Sequence, residues 1–170
     1  MVSKIFSDKN YAVEHGLGYL LARARTRLVR AADVELDRYD ITHAQGSILL
    51  MLASGKYATA AELSRELYLD SASMTRMVDR LEKRGLLARV ARSADRRVTD
   101  LRLTEEGQRL GVLLPKLYTD VLNRSFAAFS ADEITQLRGL LTKLVDGDAP
   151  CQDPGGGRAA ASPSIQPNSD

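Results

Sequence analysis

The sequence predicts a mainly α-helical chain with one small β-hairpin. Three observations lead there. Apolar residues recur at helical spacing through most of the 170 positions. Capping and stop residues cut the middle of that pattern into short helices. One stretch, residues 86–103, alternates apolar with polar residues instead, which is the period of paired strands.

The first helix is read from "GLGYLLARARTRLVRAADVELDRY". Leu17, Leu20, Leu21, Ala24, Leu28 and Ala31 line one face, and Arg23, Arg27 and Arg30 share another. "THAQGSILLMLAS" follows, with Thr42 as N-cap and Gly55 as stop. "TAAELSREL" opens on Thr59 with Glu62 three residues later, a capping box. "DSASMTRMVDRLEKRG" is capped by Asp70 or Ser71 and stopped at Gly85. Two short helices around a tight turn, the second one basic, make a helix-turn-helix. With the hairpin directly after, the order over about residues 42–103 is that of a winged helix.

"TEEGQRLGVLLPKLYTDVLNRSFAAF" is helical from Thr104, and Pro115 is expected to kink or divide it. "SADEITQLRGLLTKLVDG" opens on a second capping box, Ser130 with Glu133, and repeats Ile134, Leu137, Leu140, Leu141 and Leu144. From Gly147 the chain turns to Gly, Pro, Ser and Ala, and a flexible tail is expected over 147–170. The apolar faces of the terminal helices exceed what a domain of about 60 residues can cover. Either they pack on their own chain's core, or, more economically, two copies intertwine through them and set two reading helices on one side of a homodimer.

Composition narrows the function. No run of about 18 apolar residues exists, so no membrane span is expected. The N-terminus lacks the apolar core of a secretory signal, which makes a cytoplasmic location the default. The single cysteine, Cys151, and two histidines, His15 and His43, offer no metal-type spacing, so no metal and no cofactor are expected. No nucleophile elbow, phosphate loop or Ser/His/Asp spacing appears, which argues against an enzyme. The net charge is only +2, yet between Ser73 and Arg97 eight basic residues stand against three acidic ones. Such asymmetry is either a solvated face or the footprint of a polyanionic partner.

On a helical wheel Met74, Val78 and Leu81 form one arc, with Met77 at its edge, and Ser73, Arg76, Arg80 and Lys83 form another. That second arc suits a helix in a DNA major groove, because a guanidinium donates two bonds to guanine O6 and N7. Ser71, Ser73 and Thr75 are short enough to reach phosphates or base edges near the helix N-terminus. The same helix also reads as an ordinary surface helix with pairs such as Asp79 with Lys83. The hairpin decides between them, because its tip carries Arg92, Asp95, Arg96 and Arg97 where Asn-Gly or Asp-Gly is usual. A wing over the adjacent minor groove meets concentrated negative potential, which attracts inserted arginine. Arg97 is the residue expected to insert, held extended by Asp95, with Arg92 and Arg96 on phosphates. A protein that merely coats DNA is the competing reading, and its usual large cationic surface is missing here.

Residues 70–107, "DSASMTRMVDRLEKRGLLARVARSADRRVTDLRLTEEG", resemble the MarR-type bacterial transcription regulators. The likeness lies in the Thr-Arg-x-Val-Asp-x-Leu-Glu helix, the Gly-Leu strand entry, the Asp-Arg-Arg wing and the Leu-Thr-x-x-Gly start of the next helix. It implies a MarR-type domain over 10–146, with the winged helix at about 42–103 and a dimerisation region at about 10–38 plus 104–146. It further implies a homodimer bound to a pseudo-palindromic double-stranded DNA operator, usually as a repressor, released when a small molecule enters the cleft between dimerisation and DNA-binding regions. Carried over by position, the DNA contacts fall on Ser71, Ser73, Thr75, Arg76, Arg80, Asp95, Arg96 and Arg97.

Among the branches of that family, peroxide sensing calls for an early cysteine, zinc sensing for clustered ligands and urate sensing for a tryptophan. This sequence has none of these before Cys151. The resemblance then points to a small aromatic carboxylic acid as effector, of hydroxybenzoate or nicotinate type. Residues suited to it are Tyr11, His15 and Tyr19 at the start of the first helix, Arg23 to neutralise a carboxylate, and Tyr39 and His43 at the junction with the next helix. Each also has a structural reading: Tyr19 in the core, His43 bonded to backbone at a helix start, Arg23 solvated.

Overall fold

The computed structural model describes residues 12–92 and 98–147. They form six α-helices and one two-stranded antiparallel sheet. The chain divides after Ala127 into two compact units, each described by itself.

In the first unit a 3-10 turn, Val13–His15, leads into the long helix α1, Leu17–Leu36. A second 3-10 turn, Asp37–Tyr39, and the left-handed Asp40 (φ 52°) bend the chain into α2, His43–Ala53. Thr42 and Gln45 close a capping box there, which satisfies the buried Gln45 side chain. The helix-turn-helix is α3, Ala60–Glu66, and α4, Ser71–Lys83. Thr59 and Glu62 cap the first, and Asp70, rather than Ser71, caps the second. Gly85 stops α4 in the left-handed conformation that the sequence implies.

The hairpin pairs β1, Leu87–Ala91, with β2, Thr99–Leu103, in a register that sets Arg89 opposite Leu101 and Val90 opposite Asp100. Its base is fastened at two places. The Leu101 N–H donates to the Ala58 carbonyl at 2.6 Å, which ties β2 to the loop before α3. The Thr104 hydroxyl donates to the Gly85 carbonyl at 2.5 Å and accepts the Gly107 N–H, so one residue caps the next helix and holds the end of α4. Gly107 is required by close approach, because a Cβ there would lie 1.8 Å from the Leu86 carbonyl oxygen.

That next helix, α5, runs unbroken from Glu105 to Ser125 through Pro115, so the expected division of the segment does not occur. Proline removes one N–H and crowds the carbonyl four residues back. Burial of Leu110, Gly111, Leu114 and Val121 along one side holds the helix together across that defect. One core joins these elements: Ala32 and Leu36, Ile48, Leu49 and Leu52, Leu63, Met74, Val78 and Leu81, Leu86, Leu87 and Leu101, and the apolar side of α5. Its members all lie between Ala32 and Val121. The apolar stripe on the first half of α1 stays outside it, with Leu17 56% and Leu20 48% exposed.

The second unit contains α6, Ala131–Asp146, opened by the Ser130–Glu133 capping box. No residue of α6 is buried. The expected tail lies outside the described residues from position 148 onward. Among the described residues, no helix is long and apolar enough to cross a membrane.

Candidate nucleic-acid interface

α4 presents two unlike faces. Met74, Val78 and Leu81 are buried, and Met77 is half-buried at their edge. Ser71, Thr75, Arg76, Arg80 and Lys83 are exposed, and Ser73 is half-buried beside them. Arg76 Nη2 donates to Ser73 Oγ at 2.9 Å, which aligns the first guanidinium of the arc along the helix. The Thr75 hydroxyl turns back onto the Ser71 carbonyl at 2.8 Å, leaving its oxygen outward as an acceptor. Asp70 accepts the Ser73 N–H at 2.8 Å. Bonding to Ser73, aided by the nearby Arg76 charge, holds the Asp70 carboxyl below the ordinary carboxylate value.

The hairpin stands beside this arc. Arg92, at the end of β1, donates from Nε and Nη2 to Asp100 Oδ1 at 3.0 and 2.6 Å. Arg92 follows Val90 by two residues, so it lies on the same strand face and reaches Asp100 diagonally. Asp95, Arg96 and Arg97, with the expected Asp95–Arg97 bond, lie outside the described residues.

One basic residue that sequence reasoning passed over braces the two parts. Arg89 on β1 reaches Asp79 Oδ1 at 2.6 Å with Nη2 and Glu82 Oε2 with Nη1, and its own N–H donates to Glu82 Oε1 at 3.1 Å. Hydrogen bonding to Asp79 in particular raises the Arg89 pKa further. The Asp79 pairing is therefore with Arg89 and not with Lys83. A planar fork between two carboxylates has the better geometry than a flexible ammonium on one. No helical spacing signals this contact, since its partners lie seven and ten residues away on another element. The brace also neutralises the acids on the flank of α4, so Arg76, Arg80 and Lys83 dominate its outward charge.

The residues read as effector ligands separate into two groups within one chain. His15, Tyr19 and Arg23 are exposed at the first end of α1, while Tyr39 and His43 are half-buried at its far end. The His43 N–H donates to Asp33 Oδ1 at 2.6 Å, and Asp33 lies about 20 Å along the helix from Tyr19 at 1.5 Å per residue. A single chain therefore does not gather them around one small molecule. Tyr11 lies outside the described residues.

The far-end corner contains partners that the sequence did not single out. Tyr118 from α5 meets the His43 ring edge-to-face at a centroid distance of 5.5 Å, and its hydroxyl donates to the His43 carbonyl at 3.2 Å. Gly46 makes room for it, since a Cβ there would lie 2.6 Å from the Tyr118 hydroxyl. His43 Nδ1 is buried with no hydrogen-bond partner among the described residues. Burial lowers the His43 pKa, opposed by Asp33 and assisted by Arg25, and burial raises that of Tyr118. The 75-residue separation of His43 from Tyr118 leaves no local signal for the pair.

A winged helix whose basic second helix stands open beside a braced hairpin is the form of a DNA-binding transcription regulator. The MarR family profile matches residues 41–99. The chain is 30% identical to the reduced form of MarR from Escherichia coli, covering 76% of this chain and 96% of that one with a TM-score of 0.69. A mutant of the same protein, complexed with operator DNA, is 29% identical over 76% and 93% of the two chains, with a TM-score of 0.70. Bordetella bronchiseptica BpsR, whose structure concerns regulation of DNA binding by 6-hydroxynicotinic acid, is 26% identical over 81% and 99%, with a TM-score of 0.72. The organic hydroperoxide resistance transcriptional regulator of Bacillus subtilis is 29% identical over 79% of this chain and 90% of its own. The chain belongs to the MarR family of winged helix transcriptional regulators, and like these relatives it is a regulator and not an enzyme.

Proposed function

We propose that the protein is a homodimeric repressor that reads a pseudo-palindromic operator with α4 and is released by a small aromatic carboxylic acid. The observation that carries this reading is the open arc of α4, with Ser73, Arg76, Arg80 and Lys83 to one side of a hairpin braced by Arg89. In this reading Arg76 and Arg80 meet base edges, and Ser71, Ser73 and Thr75 meet phosphates or bases. Arg97 enters the minor groove, supported by Asp95, with Arg96 on phosphate. Arg92 stands second to these, since its fork is committed to Asp100. The exposed stripes of α1 and α6 supply the apolar surface of a dimer. Half-sites then lie roughly 34–36 Å apart.

For the effector, the corner of Tyr39 and His43, with Tyr118, offers aromatic walls within one chain. His15, Tyr19 and Arg23 contribute to the same ligand only from the second protomer. The BpsR likeness favours an acid of the nicotinate kind. The hydroperoxide-regulator likeness is the weaker guide, because the sole cysteine, Cys151, stands far along the sequence from the early position that peroxide sensing calls for.

Selection from a random duplex pool, followed by titration against scrambled duplex, tests the DNA reading. A pseudo-palindrome enriched by roughly 10³ or more in affinity is expected; equal binding to both duplexes would make this a coating protein. For the effector, 6-hydroxynicotinate and hydroxybenzoates should raise the melting temperature and weaken operator binding together. A set of such acids that moves neither quantity would remove the aromatic-acid reading and leave the DNA reading standing.

A further inference from the structure

α4 ends on a residue that serves a second helix. Arg84 is its C-cap, and its N–H donates to the Arg80 carbonyl at 3.1 Å. The side chain turns away to the far end of α1. Nη2 donates to the Tyr39 carbonyl at 3.1 Å, Nη1 to the Asp40 carbonyl, and Nη1 also lies 3.1 Å from Asp40 Oδ2. These carbonyls close the 3-10 turn that terminates α1, where the left-handed Asp40 reverses the chain. Carbonyls at a helix end lack intrahelical partners and carry the negative end of the dipole, so a guanidinium fork is a strong match for them. The Asp40 carboxylate is 90% exposed and adds little through its charge. The grip is on the backbone.

Open space borders this link. Openings of about 350 and 480 Å³ flank it, and both are lined by Asp40 and Arg84. Elsewhere α4 is fixed by the burial of Met74, Val78 and Leu81 along one side. In its last turn Leu81 is buried while Lys83 and Arg84 are exposed; besides Arg84, that end is held by the Thr104 hydroxyl on the Gly85 carbonyl and by Arg89 on Glu82.

We propose that Arg84 is a positioning residue for DNA recognition: by capping the end of α1 it sets how α4 is presented, and operator affinity depends on it without its touching DNA. The proposal rests on the reading of α4 as the DNA-reading helix. It adds that the reading helix takes its orientation partly from the end of α1, the helix whose exposed stripe is assigned to dimerisation.

The test uses full-length protein, a duplex selected from a random pool by the wild type, and a scrambled duplex, with affinities measured over a range of salt concentrations. Arg84→Met keeps the apolar stem and removes the fork. It should lower affinity for the selected duplex about tenfold, with scrambled-duplex binding and the salt slope unchanged. Arg84→Lys should recover little, because one ammonium does not span two carbonyls. A merely structural role would move the melting temperature and leave the ratio of the two affinities alone, and that outcome overturns the proposal. So does loss on both duplexes with the salt slope reduced by about 0.9, the signature of a lost phosphate contact. Should Arg84→Met fail to fold, Arg84→Lys carries the same measurement. If the wild type enriches no duplex, the reading of α4 fails instead, which is a separate result.

Discussion

α4 and α6 are both capped, amphipathic helices, 13 and 16 residues long, and they end in opposite states. Asp70 closes the N-terminus of one and a Ser130–Glu133 box that of the other. α4 buries Met74, Val78 and Leu81 almost completely, while α6 buries nothing and leaves Leu140, Leu144 and Val145 more than half exposed. Caps and periodicity establish that a helix exists and which side is apolar. They do not say what covers it. For α4 the cover is its own chain, and for α6 the proposed cover is a second copy.

The largest effect should separate these two cases. Leu81→Ala removes a fully buried side chain and should cost about 2–5 kcal/mol in urea unfolding at every protein concentration. Leu140→Ser combined with Leu144→Ser should leave helix content nearly unchanged, convert the protein to a monomer in sedimentation, and abolish the concentration dependence of the melting temperature. A double variant that still sediments as a dimer would break the comparison.

Gly107→Ala sharpens the claim that the winged region is held by its own chain. The new methyl group meets the Leu86 carbonyl, and shifting that strand entry should cost about 1–3 kcal/mol, again without concentration dependence. Arg76→Ala should leave stability nearly alone and cost about 1–3 kcal/mol of operator binding, confined to one base pair per half-site. A uniform loss across sequences would move Arg76 to a phosphate.

The smallest effect concerns acidity at the His43 corner. Burial lowers the folded-state pKa of His43, so on acidification the unfolded chain takes up its proton first. Stability should therefore fall as pH drops through about 6.5 and level off below the lowered folded value. Urea midpoints of the wild type should follow this course, and His43→Asn should flatten it. A midpoint that rises on acidification would contradict the sign.

How much of this was legible depends on how far apart the contacting residues are. The Thr59–Glu62 box, the Gly85 stop and the buried row of Met74, Val78 and Leu81 are local, and one turn of helix reveals them. Leu101 facing inward from β2 was legible for the same reason, through strict alternation. Arg84 on Tyr39 and Asp40, Arg89 on Asp79 and Glu82, and Tyr118 on His43 join separate elements. No periodicity encodes such meetings. Pro115 shows the converse: of the kink or division that its chemistry signals, the division does not occur, because the helix is buried on both sides of it. Chemical type and nearness to the ends of α1 suggest the effector residues, and neither shows that a single chain's α1 keeps the two ends about 20 Å apart.

The fastening of the hairpin base bears on the order in which the molecule is made. The Gly85–Thr104 bond closes a loop of 19 residues, and short closures form early because they sacrifice little chain entropy. The core is complete by Val121, ahead of the first residue of α6. A chain emerging from the ribosome in N-to-C order therefore has every core residue among the described residues in hand before α6 is synthesised. On the homodimer reading, the α4 surface is therefore complete in each protomer before the two copies pair.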